Sequence, residues 1–401
     1  MSLKSHGHVL VLTGALLAAC GQGPAAAPAS SAAPAISTSA AAPAKPAGSA
    51  SAKPAASTAA SAKPAASAGA SAKPAASASA GASPAPGTTV VHIATVGSIS
   101  DAGFYLADDR GYLKEVGLSA DFQRLQSGPQ MVPLLATGQL DVAGGSVSGA
   151  LFSAIQRDIP LRIVADKGSN EPGFTFSYIA VRKDLVDGGQ FKSWKDLKGK
   201  KVAISSTDNS AEFFVNKVLS DNGMSITDVD TPILGYPDMG AGLANKAVDA
   251  AQVIEPFATQ FVEKGVAAIP DDKEKVYPGF QAAVVMYGPK FVQNSPDVGK
   301  KLMVAYLRGL RDYNQAFTKG TNKEAVIQSL MSHSTVKDRA LYDKMGLPGL
   351  NPDGAPNDKD LSAQQDFFFS RGYQKEKVDL KTIIDHQFTD YAVQQLGKYS
   401  G

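Results

Sequence analysis

The first 88 residues of this 401-residue chain cannot form a hydrophobic core. They contain five lysines, no aspartate or glutamate, and few large apolar side chains. Residues 89–401 therefore have to supply the fold, and about 313 residues are enough for two ordinary domains. This part carries 34 basic and 37 acidic residues, a net charge of −3. It lacks the basic surface that a nucleic-acid-binding protein requires, so we expect no nucleic-acid partner.

A short apolar run near the N terminus is typical of a secretory signal. Residues 9–18 are apolar, Lys4 precedes them, and Leu-Ala-Ala leads into Cys20. About ten residues are too few to span a bilayer core of roughly 30 Å. The Leu-Ala-Ala-Cys run resembles the processing site of bacterial lipoproteins, which implies a signal peptide at 1–19 and lipidation of Cys20. An ordinary signal peptide with a chance cysteine is the alternative. Lipidation is favoured because Cys20 is the only cysteine, so no disulfide partner exists.

Residues 20–88 are predicted to be the lipidated cysteine followed by a linker. Positions 21–88 hold 30 Ala, 13 Ser and 10 Pro, and the unit Ser-Ala-Lys-Pro-Ala-Ala-Ser begins at Ser51, Ser61 and Ser71. The proline of each unit interrupts any alanine-rich helix, and no apolar side chains are available for burial. We expect a disordered tether without chemistry of its own.

Short β-rich runs alternate with helical runs from residue 89 onward. Strands are predicted at 90–96, 118–125, 141–143, 161–165, 201–205, 231–234 and 250–253, and helices at 102–116, 129–137, 147–156, 210–222, 239–244 and 256–264. Residues 176–182 and 281–287 are predicted to join two such units. Ser295-Pro296 predicts the start of a helix in a mostly helical C-terminal part. The alternation indicates a parallel α/β architecture.

Five motifs in a fixed order resemble one family. They are Gly-Ser-Ile-Ser-Asp-Ala-Gly-Phe at 97–104, Ala-Asp-Asp-Arg-Gly-Tyr-Leu at 107–113, Leu-Ala-Thr-Gly-Gln-Leu-Asp-Val-Ala at 135–143, Trp-Lys-Asp-Leu-Lys-Gly-Lys-Lys-Val-Ala at 194–203 and Val-Ile-Glu-Pro-Phe at 253–257. The set is similar to the substrate-binding proteins of ABC importers for sulfonates, nitrate, taurine and thiamine-pyrimidine precursors. The resemblance covers essentially all of 89–401. It implies a two-lobed periplasmic-binding-protein fold of type II-like topology, with a mainly parallel sheet flanked by helices in each lobe. Lobe I would comprise 89–182 and 284–401, and lobe II would comprise 183–283.

The resemblance also implies a function. The chain would be an extracytoplasmic lipoprotein, anchored to the membrane through Cys20, that captures a small organic molecule by lobe closure. It would deliver this ligand to an ABC permease with a cytoplasmic ATPase, and we expect a monomer without cofactor or metal. The ligand would be a sulfonate, a carboxylate or a heteroaromatic such as a pyrimidine or flavin vitamin precursor. A lipid-anchored sensor on the same fold is one alternative.

An enzyme is the other alternative, and the sequence supplies little for it. Relatives that synthesise pyrimidine precursors rely on a cysteine-rich motif, which this chain lacks. His92, His333 and His386 have no metal-ligand spacing. The run Gly-Gly-Ser-Val-Ser at 144–148 lacks the final glycine of a nucleophile elbow. We therefore predict a protein that is not an enzyme.

Ligands of open α/β sheets bind where strands lead into helix N-termini, which offer backbone N–H groups. Three such loops here are rich in Gly, Ser, Thr and Asn. The candidate ligand-binding residues are Gly97, Ser98, Ser100, Asp101, Phe104, Gln126, Ser146, Ser148, Phe176, Tyr178, Ser206, Thr207, Asn209 and Glu255. Each has a structural alternative: helix capping for the serines, threonine and asparagine, core packing for the aromatic residues, helix-dipole stabilisation for Glu255, and a solvated rim for Gln126.

Overall fold

The structure is a computed structural model that describes residues 87–270 and 277–401. The predicted signal peptide, Cys20 and almost all of the tether lie outside the described residues. Within the described residues, no helix combines the length and the apolar character needed to cross a bilayer.

The described residues form strands and helices in alternation. The strands are β1 (Thr89–Thr95), β2 (Leu118–Arg124), β3 (Val142–Gly145), β4 (Arg162–Ser169), β5 (Ser177–Arg182), β6 (Val202–Ala203), β7 (Ala250–Ile254), β8 (Ala267–Ala268) and β9 (Gln281–Tyr287). The α-helices are α1 (Ala102–Asp109), α2 (Tyr112–Glu115), α3 (Gly128–Ala136), α4 (Gly149–Gln156), α5 (Lys183–Asp187), α6 (Ser210–Asp221), α7 (Tyr236–Ala244), α8 (Phe257–Glu263), α9 (Pro296–Lys319), α10 (Lys323–His333), α11 (Asp358–Ser370), α12 (Leu380–Ile383) and α13 (Gln387–Leu396).

The strands make two sheets, with orders β2-β1-β3-β9-β4 and β6-β7-β5-β8. In the first sheet β1 is parallel to β2 and β3, whereas β9 is antiparallel to both of its neighbours. In the second sheet β6 is parallel to β7, whereas β5 is antiparallel to β7 and β8. Each sheet therefore has a single reversed strand, the one by which the chain enters after crossing from the other sheet. The prediction of mainly parallel sheets flanked by helices is confirmed.

The strand β5 differs from its predicted place. Sequence analysis assigned residues 176–182 to the end of lobe I, but Ser177–Arg182 pairs with β7 and β8 in the second sheet. The chain crosses between the sheets just before this strand. Asn170 lies in this crossing and binds the second crossing, by which the chain returns to the first sheet before β9. Its N–H donates to Phe280 O at 3.0 Å, and its Oδ1 accepts from the N–H of Ser177 at 3.2 Å.

Three predicted elements are shorter than expected or divided. The strand predicted at 201–205 is reduced to Val202–Ala203. The strand predicted at 231–234 is reduced to an isolated bridge between Ile204 and Ile233. Pro232 has no N–H to donate, so it cannot sustain a strand ladder at this place. The helix predicted at 102–116 divides into α1 and α2 at Gly111, whose φ of +76° ends the first helix.

The helices α1 and α9 cross at very short distance and so place the loop after β1. A Cβ atom on Gly309 would lie 2.3 Å from the carbonyl oxygen of Gly103. One face of α9 is buried, with Leu302, Ala305 and Tyr313 fully inaccessible to solvent. On the other side, Phe214 of α6 packs against Phe280, with ring centroids 4.8 Å apart. The helix that follows β6 thus shares a core with the first sheet's helices.

Candidate functional site

A cavity of about 1600 Å³ lies between residues of the two sheets. The first sheet contributes the loops after β1, β2 and β3 and the end of β4. The second contributes the start of β5, the loop between β6 and α6, and the turn between β7 and α8. Both sheets therefore present strand-to-helix loops to one shared space, which we call the cleft.

Most of the residues predicted from sequence line the cleft. Ten do so, namely Gly97, Ser98, Ser100, Gln126, Ser146, Phe176, Ser206, Thr207, Asn209 and Glu255. Four do not, namely Asp101, Phe104, Ser148 and Tyr178. The placement of the first group is compatible with ligand contact, and the second group is placed elsewhere by packing or by capping.

The two aromatic residues that miss the cleft belong to the core. The Phe104 ring packs on Tyr306, with centroids 4.6 Å apart, under the crossing of α1 and α9. Tyr178 is fully buried in the core of the second sheet, and its hydroxyl donates to Thr175 O. Phe176 precedes β5 and faces the cleft instead. Phe104 and Tyr178 therefore lie in the core and not at the cleft surface, which supports their core-packing alternative.

Ser148 and Asp101 serve the backbone and a buried charge. Ser148 Oγ accepts from the N–H of Leu151 at 3.3 Å and caps α4. Asp101 is fully buried, accepts from the N–H of Ser98 at 2.9 Å, and lies 2.8 Å from Lys167 Nζ. Both side chains therefore serve partners in the interior, and neither lines the cleft.

Two helix N-termini beside the cleft, those of α4 and α6, are already occupied by side chains. Asn209 Oδ1 accepts from the N–H groups of Ala211 and Glu212 at the start of α6. At the start of α4, Asp208 accepts from the N–H of Gly149 at 2.7 Å and from that of Ala150 at 3.1 Å. These orphan N–H groups are satisfied by side chains. The N-termini of α3 and α7, which also line the cleft, have no side-chain cap.

The Asp208 contact joins the two sides of the cleft. Asp208 follows β6 of the second sheet, whereas α4 follows β3 of the first. A Cβ on Gly149 would lie 2.4 Å from Asp208 Oδ1, so glycine is needed for this approach. Burial, with a smaller contribution from nearby Glu212, raises the pKa of Asp208 to about 6, although its two backbone hydrogen bonds oppose the shift.

The wall from the first sheet contains a buried lysine that sequence analysis missed. Lys167 is fully buried in β4, and its Nζ donates to Ser100 Oγ at 2.8 Å besides pairing with Asp101. Gly144 makes room for it, because a Cβ there would lie 2.8 Å from Lys167 Cε. The available signal was the pair Asp166-Lys167 directly after the apolar run, which lies beyond the end of the strand predicted at 161–165.

The wall from the second sheet combines amide and aromatic groups, most of them also missed. Gln252 donates to Ser177 Oγ at 2.9 Å and accepts from the Tyr236 hydroxyl at 3.4 Å. The rings of Tyr236 and Phe257 lie nearly parallel, with centroids 6.0 Å apart. All four residues line the cleft. Alternation along β7 could have indicated that Gln252 points to one side of the sheet, but not that this side meets a cavity.

Glu255 lines the cleft but already has several partners. Its Oε1 accepts from Thr259 Oγ1 at 3.0 Å and from the N–H of Gly346 at 3.1 Å, and its Oε2 accepts from the N–H of Thr259. It thereby fixes the start of α8 to the loop around residue 346. Its helix-stabilising alternative is supported, together with a contact to a segment that sequence analysis did not consider.

No cluster of three or more histidine, cysteine, aspartate or glutamate side chains suited to a metal occurs in the described part of the chain. The histidine nearest the cleft, His333, binds Asp109 through Nε2 at 2.9 Å and stacks on Tyr105. Its backbone carbonyl accepts from Arg124 at 2.7 Å, and Arg124 also lines the cleft.

Comparison with known proteins gives one family and one fold. A family model described as NMT1/THI5 like matches residues 99–316. The ligand-binding component of an ABC-type import system from Staphylococcus aureus, with zinc bound, is similar with a TM-score of 0.61 at 12% identity, covering 76% of this chain and 99% of that one. The periplasmic aliphatic sulphonate binding protein SsuA from Escherichia coli has a TM-score of 0.57 at 18% identity, covering 75% and 98%.

An enzyme has the same fold. The desulfurization enzyme DszB is similar with a TM-score of 0.52 at 16% identity, covering 77% of this chain and 99% of that one. At these identities the solved structures show a shared fold alone. A search of curated proteins found no match.

Proposed function

This chain belongs to the NMT1/THI5-like family, and from that premise we propose that it is the solute-binding protein of an ABC importer. It captures a small organic molecule outside the cytoplasm and delivers it to a permease with a cytoplasmic ATPase. The observation that carries this proposal is the cleft of about 1600 Å³, which both sheets line with hydroxyls and aromatic rings. Such a mixture of apolar surface and a few convergent polar groups is typical of small-molecule sites.

The ligand is a small organic molecule such as a sulfonate, a carboxylate or a heteroaromatic compound. Polar contacts come from Ser98, Ser146, Thr207 and neighbouring hydroxyls, and Phe176 supplies one of the rings at the cleft surface. The cleft exceeds the volume of one such molecule, which supports an open state that closes on its ligand.

Closure moves two lobes about the crossings that contain Asn170 and Phe280. Sheet pairing supports moving β5 from the predicted lobe I to lobe II, which would then comprise roughly 177–268. Lobe I would comprise the first sheet with the C-terminal helices. Ser146 belongs to lobe I and Thr207 to lobe II, and both line the cleft.

Closure is tested by truncating these two residues. Ser146→Ala and Thr207→Ala should each weaken ligand binding by about 1–2 kcal/mol, and the double variant should show coupling because either loss favours the open form. Small-angle scattering should show compaction of the parent on ligand addition and less compaction of the variants at equal ligand. A ligand that binds without compaction, and equally to all variants, would contradict the cleft assignment.

The protein is anchored to the membrane by lipid on Cys20, with residues 21–88 as a tether. Cys20→Ser should move the protein from the membrane fraction to the soluble fraction without changing ligand affinity. Deletion of residues 25–86, which keeps Cys20, is the matched control and should leave the protein on the membrane with the same affinity. Persistence of the Cys20→Ser variant in membranes would remove the lipoprotein proposal.

A sensor or an enzyme on the same fold are the competing functions. The likeness to DszB favours keeping the enzyme as a candidate, because one fold serves binding and catalysis alike. Native mass spectrometry of protein purified without refolding separates the possibilities. A co-purifying small molecule that is released unchanged supports binding, whereas its conversion to a product supports an enzyme. A permease and ATPase encoded beside this chain would distinguish an importer from a sensor.

A further inference from the structure

A buried ion pair lies directly beneath two hydroxyls of the cleft. Lys167 and Asp101 are both fully buried, with Nζ 2.8 Å from Oδ1. Lys167 Nζ also donates to Ser100 Oγ at 2.8 Å, and Ser100 Oγ lies 2.7 Å from Ser98 Oγ. Ser100 is 2% exposed and Ser98 is 8% exposed, so the row of groups runs from the interior to the cleft surface.

Donor accounting gives this row a direction. An ammonium has three donors and no acceptor, so Ser100 Oγ must accept from Lys167. If Ser98 donated to Ser100, the hydrogen of Ser100 would be buried without an acceptor, which costs about 1–3 kcal/mol. If Ser100 donates to Ser98, the buried hydrogen of Ser100 has its acceptor. The hydrogen of Ser98 then remains on the group nearest the cleft, where a ligand can accept it.

We propose that Ser98 is a hydrogen-bond donor to the ligand and that Lys167 is the positioning residue that sets this direction. The inference rests on the proposed ligand-binding function and narrows it. The ligand must present an acceptor at this wall, such as a carboxylate, sulfonate or carbonyl oxygen or a ring nitrogen. A ligand whose polar end carries only donors, such as an alkylammonium, offers no acceptor for the hydroxyl hydrogen of Ser98.

Lys167 acts through the serines, because its side chain lies behind them with no solvent-exposed surface. The side chain of Lys167 is fully buried, and it packs in the space that Gly144 leaves open. Asp101 compensates the ammonium charge of Lys167, so this pair contributes a direction of hydrogen bonding and not a net positive charge. Arg124, which lines the cleft beside Gly97, is a separate cationic group of this wall.

The first test requires no ligand. Neutron diffraction from crystals of the deuterated protein locates the hydroxyl deuterium atoms of Ser98 and Ser100. We expect the Ser100 deuterium to point to Ser98 Oγ and the Ser98 deuterium to point into the cleft. The opposite orientation, with Ser98 donating to Ser100, would overturn the inference whatever the cleft binds.

The second test compares probes that share one ring but differ in polar chemistry. Benzenesulfonate, benzoate and benzamide carry acceptors, whereas benzylammonium carries donors only. By calorimetry, the acceptor-bearing probes should bind the parent at least tenfold more tightly than benzylammonium. Ser98→Ala should weaken the acceptor-bearing probes by about tenfold and leave benzylammonium unchanged. Ser153→Ala is the matched control, since its hydroxyl donates to Tyr373 O at 3.3 Å outside the cleft.

The role of Lys167 is tested with its partner, because the single variant would strand Asp101. Lys167→Met combined with Asp101→Asn should reduce the benzoate-to-benzylammonium preference about fivefold, an effect that a purely structural role would not produce. Equal preference in this variant and the parent would overturn the positioning role. If the probes bind with no preference and Ser98→Ala has no effect, the donor inference fails while the binding function stands. If no probe binds, the acceptor assignment fails. The proposed function is then tested separately, by native mass spectrometry of the co-purified ligand.

Discussion

The two walls of the cleft hold their polar groups in different ways. On the first-sheet wall, Ser98 and Ser100 are backed by the buried pair Lys167 and Asp101, all within one lobe. On the second-sheet wall, the acidic groups reach out of their own lobe. Asp208 caps α4 through Gly149 and Ala150, and Glu255 accepts from the N–H of Gly346.

The first wall can be altered without affecting the second, because its contacts lie within one lobe. The hydroxyls of Ser98 and Ser100 on the first wall are oriented by the fully buried pair Lys167 and Asp101 of the same lobe. The second wall is tied to the opposite lobe by two carboxylates, the half-buried Asp208 and the buried Glu255, so its position depends on contacts that lobe motion can change. The variants below test the two arrangements.

The largest effect is expected from breaking the buried pair on the first wall. Lys167→Met leaves Asp101 as an uncompensated buried charge and should lower the free energy of unfolding by about 3–5 kcal/mol. Urea unfolding followed by circular dichroism measures this. Adding Asp101→Asn should restore much of the loss. A single variant as stable as the parent would show that the pair is not needed by the first wall.

Equivalent serines on the two walls should differ in their effect. Ser100→Ala removes a buried acceptor of Lys167 and should cost about 1–3 kcal/mol. Ser206→Ala removes a hydroxyl that donates only to the neighbouring Thr207 O at 2.7 Å, and should change stability by less than about 0.5 kcal/mol. Thermal unfolding of both variants decides the comparison, and equal losses would remove the distinction between the walls.

Loss of the Asp208 cap should have a moderate effect that reaches across the cleft. Asp208→Ala leaves two N–H groups of α4 without their acceptor and should cost about 1–2 kcal/mol. Hydrogen exchange should rise at the start of α4, in the opposite lobe, as well as near residue 208. Asp221→Ala is the control, because its pair with Lys217 is an exposed surface ion pair. Exchange confined to the loop around residue 208 would contradict the tie between walls.

The smallest effect is a pH dependence of the same contact. Because the pKa of Asp208 is raised to about 6, the folded protein binds this proton more tightly than the unfolded chain does. The resulting gain in the free energy of unfolding is fully present below about pH 4 and is lost as the pH rises through about 6. Solvent exposure limits the change to about 1 kcal/mol. Asp208→Asn should flatten this part of the stability profile relative to the parent. Asp166, whose pKa is also raised to about 6, is present in both proteins, so its titration does not contribute to the difference. Identical slopes in the two proteins would show that Asp208 does not titrate here.

The order of strands and helices was largely readable from the sequence. Apolar runs near residues 93, 142, 179 and 251 have few other places to be buried, and glycine- or serine-rich loops follow several of them. The positions of these loops followed from that order, since strands of the same direction end at the same edge of a sheet. Ten of the fourteen candidate residues reached the cleft for this reason.

The failures concern residues whose partners lie far away in sequence. The predicted strand at 161–165 stopped before Asp166 and Lys167, because charged residues rarely occupy a buried strand. The structure extends β4 to Ser169 and supplies the missing partners. Asp166 accepts from the N–H of Asn351 at 2.7 Å and from Gln281 Nε2 at 2.6 Å, and Lys167 meets Asp101.

The alternation of strands and helices, and the strand-to-helix loops that meet at the cleft, could be predicted from the sequence alone. Periodicity and composition are local properties, so they need no partner to be recognised. Only the tertiary structure decided that Ser98 faces the cleft with Lys167 behind it, that Asp208 fills the helix N-terminus expected for a ligand, and that Tyr178 is core. Each of these depends on a group brought near by folding, because a buried charge, donor or ring is stabilised by the partner it meets and not by its neighbours in the chain.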